Sequence, residues 1–520
     1  MWRVALITCG VATAAHAQAT HALSFRDALA ITLAHNGDLA VAQADVAIAD
    51  DEVALAGAVF APRLLATAQV GHDDDPGSAL RFAGTDTTYA GSLALAGKLS
   101  TGLTYSLTLS ALSERLANPF LTIYDPADTA ALTLSVSQPL LRGAGRRANL
   151  QPLVVAALRR DLGEQQLRAR LDQVAGAVEV AYWTLALAVK EREARAASLQ
   201  LAEDQLAEST RLVHLGTIAE LDATDAEAGV GRARQEQVRS EQQVASAQAA
   251  LRTVIVGEPG WRADDALVPT DEADASAATY ALADHLALAR AHRPDLAAAE
   301  AALRVEQAAL AITQDELKPA LDVIATGGAI GFAGQIDHNY ATGGISVFDN
   351  TLLPTYTADR ALDGGAGRAL KNLATVSGYT VSLGLRLELP LDNTAAEARH
   401  ARQRHATTRA EAQARALVAR IEAEVENSVA LAAGDAALVR AADDAVAVNA
   451  RLLAGMRKRF SAGAVTSFDV LRVADALTRA QIDAARARVN HQLSLARLAA
   501  ADGTLLDQLH ITTSALQKTQ

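Results

Sequence analysis

Proline ends or kinks a helix wherever it falls inside one, because it lacks a backbone N–H and its ring collides with the preceding turn. All twelve prolines of this 520-residue chain lie between Pro62 and Pro390. Two long stretches, Leu153 to Glu258 and Leu391 to Gln520, contain none. Within them apolar residues recur at seven-residue spacing: Leu171, Val178, Leu185, Leu199, Leu206 and Val213 in the first, and Val418, Val425, Val439, Val446, Leu453 and Phe460 in the second. That is the period of a coiled-coil seam, interrupted at Arg192 and filled by alanine at Ala432. A helix from Arg147 to Val213 would be on the order of 100 Å long, far beyond what a compact domain holds. A glycine interrupts each stretch once, at Leu215-Gly216-Thr217 and Ala462-Gly463-Ala464, and a further helical pattern follows, so each reads as a helical hairpin.

Composition agrees with long helices. Half of the residues are apolar but only 4% are aromatic, and Ala, Leu, Arg, Glu and Gln dominate long stretches. With 47 basic against 60 acidic groups the net charge is −13, so a nucleic-acid backbone would be repelled and no nucleic-acid partner is expected. The single cysteine, Cys9, falls in what reads as a signal peptide over residues 1–17: Arg3, an apolar stretch from Val4 to Ala15, and an Ala15-His16-Ala17 cleavage site. The alternative for Cys9 is a lipidated cysteine, which Thr8 and its early position disfavour. A mature chain from Gln18 has no thiol, which excludes disulfides and cysteine-ligated metal. It also has no run of about 18 strongly apolar residues, so if it spans a membrane it does so as a β-barrel.

Between the helical blocks the period changes to two. Leu103-Thr104-Tyr105-Ser106-Leu107-Thr108-Leu109-Ser110, Leu132-Thr133-Leu134-Ser135-Val136-Ser137 and Val381-Ser382-Leu383-Gly384-Leu385-Arg386-Leu387-Glu388-Leu389 each alternate apolar with polar or small residues. These are strands with one apolar and one polar face, as in a soluble sheet on a core or a membrane barrel around water. Most aromatic residues, the interface anchors of a barrel, lie in these helix-poor segments. Four strands are predicted between Pro62 and Pro139, at about 62–71, 88–98, 102–111 and 129–139, with Ser100-Thr101-Gly102 as the turn of the middle hairpin. The second half offers two, at about 320–332 and 377–390, joined by a glycine-rich segment that reads as a long loop on the extracellular side.

The chain also repeats itself. Ala28 to Pro62 aligns without a gap on His285 to Pro319, superposing His35 on His292, Asp38-Leu39 on Asp295-Leu296 and Pro62 on Pro319. Gln138-Pro139-Leu140 parallels Leu389-Pro390-Leu391, and Gly216 and Asp222 parallel Gly463 and Asp469. Pro62, Pro139, Pro319 and Pro390 therefore mark equivalent turns, and each half reads helix, strand, loop, strand, long helix, glycine turn, helix. The boundaries are 18–257 for the first repeat, 258–279 for a linker, 280–506 for the second repeat and 507–520 for a tail.

No catalytic constellation emerges, and neither a cofactor nor a metal site is expected. His400 and His405 stand on different helix faces, and His35 and His292 read as a repeat feature. Arg142-Gly143-Ala144-Gly145-Arg146-Arg147 lacks a P-loop lysine and reads as a strand-to-helix turn. Asp73-Asp74-Asp75-Pro76 reads as a solvated acidic turn.

The order and spacing of Leu23-Ser24-Phe25-Arg26-Asp27-Ala28-Leu29, Asn36, Asp38-Leu39, Ala61-Pro62, Gln138-Pro139-Leu140-Leu141-Arg142-Gly143, Arg459-Phe460-Ser461-Ala462-Gly463 and Ser467-Phe468-Asp469-Val470-Leu471 resemble the TolC family of outer-membrane efflux channels, over about Leu23 to Leu506. The resemblance implies a mainly α fold with membrane β: coiled-coil hairpins forming a periplasmic α-barrel, and strands of a β-barrel shared by a homotrimer in outer-membrane lipid. It implies an exit duct for an efflux pump or type I secretion system, partnered by a periplasmic adaptor and an inner-membrane transporter. One departure is the extra hairpin in the first half, where the family's simplest plan has two strands; it either widens the barrel or lies outside it. The helical tips would be the periplasmic entrance. Asp222, Asp225, Asp469 and Arg472 are candidate gate and pore residues, which threefold symmetry would turn into rings, with plain N-capping as the other reading. Leu212, Val213 and Phe460, beside Gly216 and Gly463, are candidates for docking the adaptor. Phe460 and Val465 stand where some relatives carry a Tyr and an Arg that clasp the entrance shut, so that clasp is not expected here. A periplasmic coiled-coil adaptor or scaffold is the alternative, and a secreted enzyme a remote third. Only the channel needs strands with an uncharged face in both halves.

Overall fold

The computed structural model describes residues 20–75, 84–115, 123–255, 266–273, 281–336, 359–462 and 464–511. The expected signal peptide with Cys9, the turn residue Gly463, Pro76 of the acidic turn and most of the C-terminal tail lie outside them. The described chain is mostly helical and forms two units.

The first unit comprises Met1–Ala47, Leu162–Glu300 and Ala412–Gln520. It opens with β1 (Thr20–Leu23), followed by α1 (Phe25–His35) and α2 (Gly37–Ala58). Ser24 caps α1, its Oγ accepting from Asp27 N–H at 3.1 Å, and Asn36 Oδ1 caps α2 by accepting from the N–H groups of Asp38 and Leu39. The long hairpins are α3 (Gly145–His214) with α4 (Glu220–Val254), and α8 (Thr394–Ser461) with α9 (Ser467–Ala501). Proline-free sequence thus gives unbroken helices of 70 and 68 residues, with one proline, Pro152, in the third turn of α3. Of the seven-residue seam, Leu171, Val178, Leu185, Val425, Ala432, Val439, Leu453 and Phe460 are buried, while Leu199, Leu206, Val213, Val418 and Val446 are half-buried.

The core of this unit lies where α3, α4 and α9 meet, around Val178, Tyr182, Leu185, Val244, Leu251, Val489 and Leu493. Two short elements missed by the sequence pattern close it. Strand β6 (Ala266–Pro269), inside the span read as a linker, pairs in parallel with β1. Tyr182 pins the pair: its hydroxyl donates to Asp271 Oδ2 at 2.7 Å, lies 3.1 Å from the Leu23 carbonyl, and accepts from Asp271 N–H at 3.2 Å. Burial first, and the Asp271 carboxylate second, push the phenol up to about 12. Helices α5 (Leu282–His292) and α6 (Pro294–Glu316) stand in the second half as α1 and α2 do in the first. At their junction Arg293 makes a two-pronged bond to Asp295 at 2.9 and 2.7 Å and reaches Glu424 at 2.7 Å. Burial alone would raise the Asp295 carboxyl, but Arg293 holds it below its ordinary value.

The second unit comprises Ile48–Asp161 and Ala301–Glu411. Its centre is one six-stranded antiparallel sheet of β2 (Arg63–Asp75), β3 (Gly84–Lys98), β4 (Thr104–Arg115), β5 (Tyr124–Pro139), β7 (Ala320–Ile336) and β8 (Gly378–Glu388), hydrogen-bonded in that order. All six predicted strands are present. Pro62 immediately precedes β2, Pro139 ends β5, Pro319 precedes β7 and Pro390 follows β8, which is where a missing N–H does least harm to a ladder. The extra hairpin, β3–β4, is fully in register with β2 on one side and β5 on the other. One expectation is corrected: the segment before β8 is not loop throughout. It contains α7 (Ala366–Ala374), whose Ala369 and Leu373 pack on Ala130 and Ala333 of the sheet. Its Ala366, Ala369, Leu370 and Leu373 follow helical spacing, a signal that the glycine-rich flanks mask.

Buried and half-buried carboxyls give this fold a pH dependence: burial raises Asp172 to about 6, and Glu179 further. Glu179, in the α3 core, is 5% exposed, and its Oε2 and the Trp183 indole N–H make no well-formed hydrogen bond. Burial raises its carboxyl from 4.5 to about 7, against smaller opposing contributions from Trp183 and Gln492. The unfolded chain releases this proton near 4.5 while the folded chain keeps it, so stability falls as pH rises from about 4.5 to 7 and is level above. Replacing Glu179 with Gln should remove its part of that fall, leaving the variant more stable than the parent at pH 8 by up to about 3 kcal/mol. Thermal unfolding of both proteins at pH 5 and pH 8 checks this, and an equal pH slope in the two would refute it.

Candidate channel surfaces: the sheet faces and the hairpin tips

The register sorts the side chains of the sheet into two chemically different faces. One row runs Leu64, Leu95, Leu107, Leu134, Gly327, Val381 across all six strands, and the next runs Ala66, Leu93, Leu109, Leu132, Ala329, Tyr379. Across this face the one charged residue among the alternate positions of 64–70, 89–97, 105–113, 128–136, 321–333 and 379–387 is Asp128, which is buried beside Gly365, so the exposed part of the face is uncharged. Its apolar side chains are not covered: Tyr379, Val381, Leu383 and Leu385 are 73 to 79% exposed and Leu64 is 68% exposed. In water so large an apolar area would drive association, whereas lipid tails satisfy it. Helix α7 covers only the distal part of this face, over Ala130 and Ala333. Tyr89 and Tyr379 lie exposed toward that distal end, and Tyr105 toward the other, its ring against Gly97 on the paired strand. Two levels of tyrosine flanking a leucine band match the aromatic girdles of a membrane barrel.

The opposite face carries the hydroxyls. Its rows include Thr67, Ser92, Ser110 and Leu65, Ala94, Thr108, Thr133, Gly328, Thr380, with Leu65, Leu112, Ile324, Ile330 and Phe332 as large apolar exceptions. Thr67 and Ser92 hydroxyls bond across strands at 2.7 Å. The two edges, β2 and β8, each have a neighbour on one side only.

At the far ends of α3 and α8 the two turns are built alike. Gly216, at φ +69°, takes the left-handed conformation that a side chain resists. Its N–H donates to Val213 O at 2.8 Å and Thr217 N–H to Leu212 O at 2.9 Å, which stops α3 in a Schellman motif. Ala464 N–H donates to Arg459 O at 2.9 Å across the same five-residue interval. The return helices are then capped by the singled-out aspartates. Asp222 Oδ2 accepts from Ala219 N–H at 3.2 Å. Asp469 Oδ2 accepts from the Thr466 N–H at 3.2 Å and hydroxyl at 2.9 Å, while Thr466 Oγ1 accepts from Asp469 N–H at 3.3 Å, a reciprocal capping box. The Thr466 bonds, and more weakly Arg472 and Arg459, hold the Asp469 carboxyl below its ordinary 3.8. Arg472 lies 3.9 Å from Asp469 and Asp225 is half-buried beside the cap. The hairpins are tied together by Ser467 Oγ, which donates to Asp222 O at 3.0 Å.

The expected docking residues need correction. Phe460 is 6% exposed, in a cluster with Leu453, Val470 and Val473 on which Leu212 and Val465 pack. Val213 is half-buried too. Phe460, with Leu212 packed on its cluster, locks the chain's own hairpins together, so the Phe460 ring is not presented for docking. Phe460 continues the seven-residue seam, which itself argued for an inward position. The apolar side chains that do stand out at the tips are Leu215, Leu221 and Phe468, exposed by 65, 70 and 47%. Leu221 and Phe468 precede the capping Asp222 and Asp469 by one residue, a shared position that could have singled them out. Among the remaining candidates, His400 Nδ1 lies 3.2 Å from the Thr313 hydroxyl, and no cluster of potential metal ligands occurs among the described residues. No described helix is long and apolar enough to cross a membrane.

An uncharged, exposed sheet face banded by tyrosines, together with helices of some 70 residues, defines the class: an outer-membrane channel. The outer membrane efflux protein family matches residues 28–257. Over that span the chain is similar to outer-membrane efflux ducts, whose helical part lies in the periplasm. No curated protein matches. Solved structures of the same fold include a membrane protein from Pseudomonas aeruginosa (18% identical, 92% of this chain and 90% of that one, TM-score 0.64). Another is the outer membrane protein VceC of Vibrio cholerae (16%, 92% and 96%, 0.63). A third is the CmeC outer membrane channel of Campylobacter jejuni (12%, 95% and 89%, 0.63).

Removing the Phe460 ring should cost about 3 kcal/mol and loosen the tip first. Hydrogen exchange of Phe460→Ala should therefore quicken in residues 453–474 before it does so around Tyr182. Unchanged exchange there would mean that the ring is not what locks the hairpins.

Proposed function

We propose that three copies of this chain assemble into one duct, in which their sheets close a shared β-barrel through the outer membrane and their hairpins line a passage across the periplasm. The observation that carries this is the pair of unfilled sheet edges beside an uncharged apolar face: lipid cannot satisfy the free N–H and C=O groups of β2 and β8, and closure between copies does. Each sheet begins with a strand running one way and ends with one running the other, so β8 of one copy meets β2 of the next antiparallel. The family supports an inner-membrane transporter and a periplasmic adaptor as partners, with the transporter supplying the energy. The chain does no chemistry: it conducts passively and opens at the tips.

Leu215, Leu221 and Phe468 are the residues we assign to adaptor contact. Asp222, Asp225 and Asp469 form the carboxylate rings at the entrance, where capping and pore-lining are compatible roles because a capping carboxylate keeps its charge. The two-repeat division is supported by the family match, which ends where the first repeat does, at residue 257, and by the matching bonds Thr217 N–H to Leu212 O and Ala464 N–H to Arg459 O at the tips.

Native mass of the detergent-extracted protein tests the assembly: a trimer recovered only with detergent is expected, and a monomer in the soluble periplasmic fraction would overturn it in favour of an adaptor. In planar bilayers the parent channel should prefer cations, and Asp222→Asn with Asp469→Asn should lower the cation-to-anion permeability ratio severalfold. Because Asp469 is held below the ordinary aspartate value, the parent's preference should persist through pH 5. A ratio unchanged by the double variant would remove the carboxylates from the pore.

A further inference from the structure

We infer that the β3–β4 hairpin is an integral part of the barrel wall, so that the assembled pore has eighteen strands, six from each of three copies, and not the twelve that four strands per chain would make. The inference rests on the trimeric reading above and adds the width of the pore to it.

Three observations carry it. The hairpin interrupts no pairing: β2 pairs with β3 over Arg63 to Asp75, β3 with β4 over Thr87 to Lys98, and β4 with β5 over Thr104 to Glu114, without a bulge. Its faces continue those of its neighbours, with Leu93, Leu95, Leu107 and Leu109 in the apolar rows and Ser92, Thr108 and Ser110 in the hydroxyl rows. A hairpin folded back over the outside or plugging the lumen has no reason to keep this alternation, since one of its faces would meet protein and not lipid or water. Finally, its turn is built into the base of the sheet. Gly102 sits at φ +92°, where a Cβ would stand 2.5 Å from the Gly143 carbonyl oxygen. Gly145 N–H donates to Thr101 O at 3.0 Å, and Gln138 Nε2 to the same oxygen at 3.3 Å. The hairpin is therefore fastened to the junction of β5 with α3.

An up-and-down pair can be added to an antiparallel sheet without reversing any other strand, so closure remains possible at eighteen. At about 4.8 Å between strands and a tilt of about 40°, twelve strands give a backbone diameter of roughly 24 Å and eighteen roughly 36 Å. The outer-membrane section would then have about twice the cross-section, which leaves selection of cargo by size to the tips.

Cysteine pairs on the hydroxyl face test this in the full-length chain with Cys9→Ala, read by mass spectrometry of peptides joined by a short thiol cross-linker. Thr67→Cys with Ser92→Cys, and Ser110→Cys with Ala131→Cys, should link in most chains of the membrane-extracted protein. Thr67→Cys with Ala131→Cys should not, because three strand spacings, about 14 Å, separate them. Strong linkage of that last pair would mean that β2 meets β5 directly with the hairpin expelled, and would overturn the inference. A separate pair, Leu65→Cys with Ser382→Cys, reports on the trimer: covalent dimers and trimers on a denaturing gel support shared closure. Their absence together with a monomeric native mass would fail the trimeric reading itself, whatever the hairpin pairs show. Strand counting by electron cryo-microscopy of the extracted trimer gives the same answer directly, eighteen against twelve.

Discussion

A backbone placed in hydrocarbon must satisfy every N–H and C=O within itself, and a sheet can do so only by having no edge. The rest of this molecule follows from that requirement. The six-stranded sheet satisfies its interior strands and leaves β2 and β8 open, so a single chain is an incomplete membrane structure. Its apolar face, uncharged over the leucine band and bounded by Tyr89, Tyr379 and Tyr105, suits lipid and nothing else in the cell. The hydroxyl face suits water. In the trimer proposed above, the sheets close on one another and no edge is left in lipid.

The helical part solves a different problem, which is to hold long hairpins together with few large side chains. It does so with a narrow seven-residue seam of Val, Leu and Ala and two places of stronger fixation. One is the core around Tyr182 and Trp183, where the phenol ties β1 and β6 to α3. The other is the tip, where Phe460 packs among Leu453, Val470 and Val473. Between these, Val439 and Ile482 are buried, while Val238, Leu438, Val448 and Leu452 stand exposed among polar residues. The tips therefore combine a locked apolar interior with an exposed rim of capping aspartates and three outward apolar residues.

Much of this was legible in the sequence because the determining signals are periodic. Seven-residue spacing placed Leu171, Val178 and Leu185 inward, alternation placed all six strands of the sheet, and Pro62, Pro139, Pro319 and Pro390 marked where the ladder begins and ends. What escaped was short or non-periodic. β1 and β6 are four-residue strands paired across some 246 positions and leave no pattern, whereas α7 does carry helical spacing at Ala366, Ala369, Leu370 and Leu373 but spans only nine residues in a glycine-rich setting. Phe460 was read through family resemblance as a docking residue although its seam position argued for burial, and Leu221 and Phe468 were passed over because exposure at a helix N-terminus depends on how neighbouring helices pack. The capping role of Asp222 and Asp469 was one of the two readings open from spacing, and the bonds at Ala219 and Thr466 establish it.

The central claim is that β2 and β8 are not edges in the working molecule. Hydrogen exchange of the detergent-extracted protein, resolved to the strands, tests it most directly. If the sheets close between copies, the amides of β2 and β8 will be protected to the same order as those of β5, which is paired on both sides within one chain. If β2 and β8 exchange orders of magnitude faster than β5 while the protein remains folded, the edges are open and the shared barrel does not form.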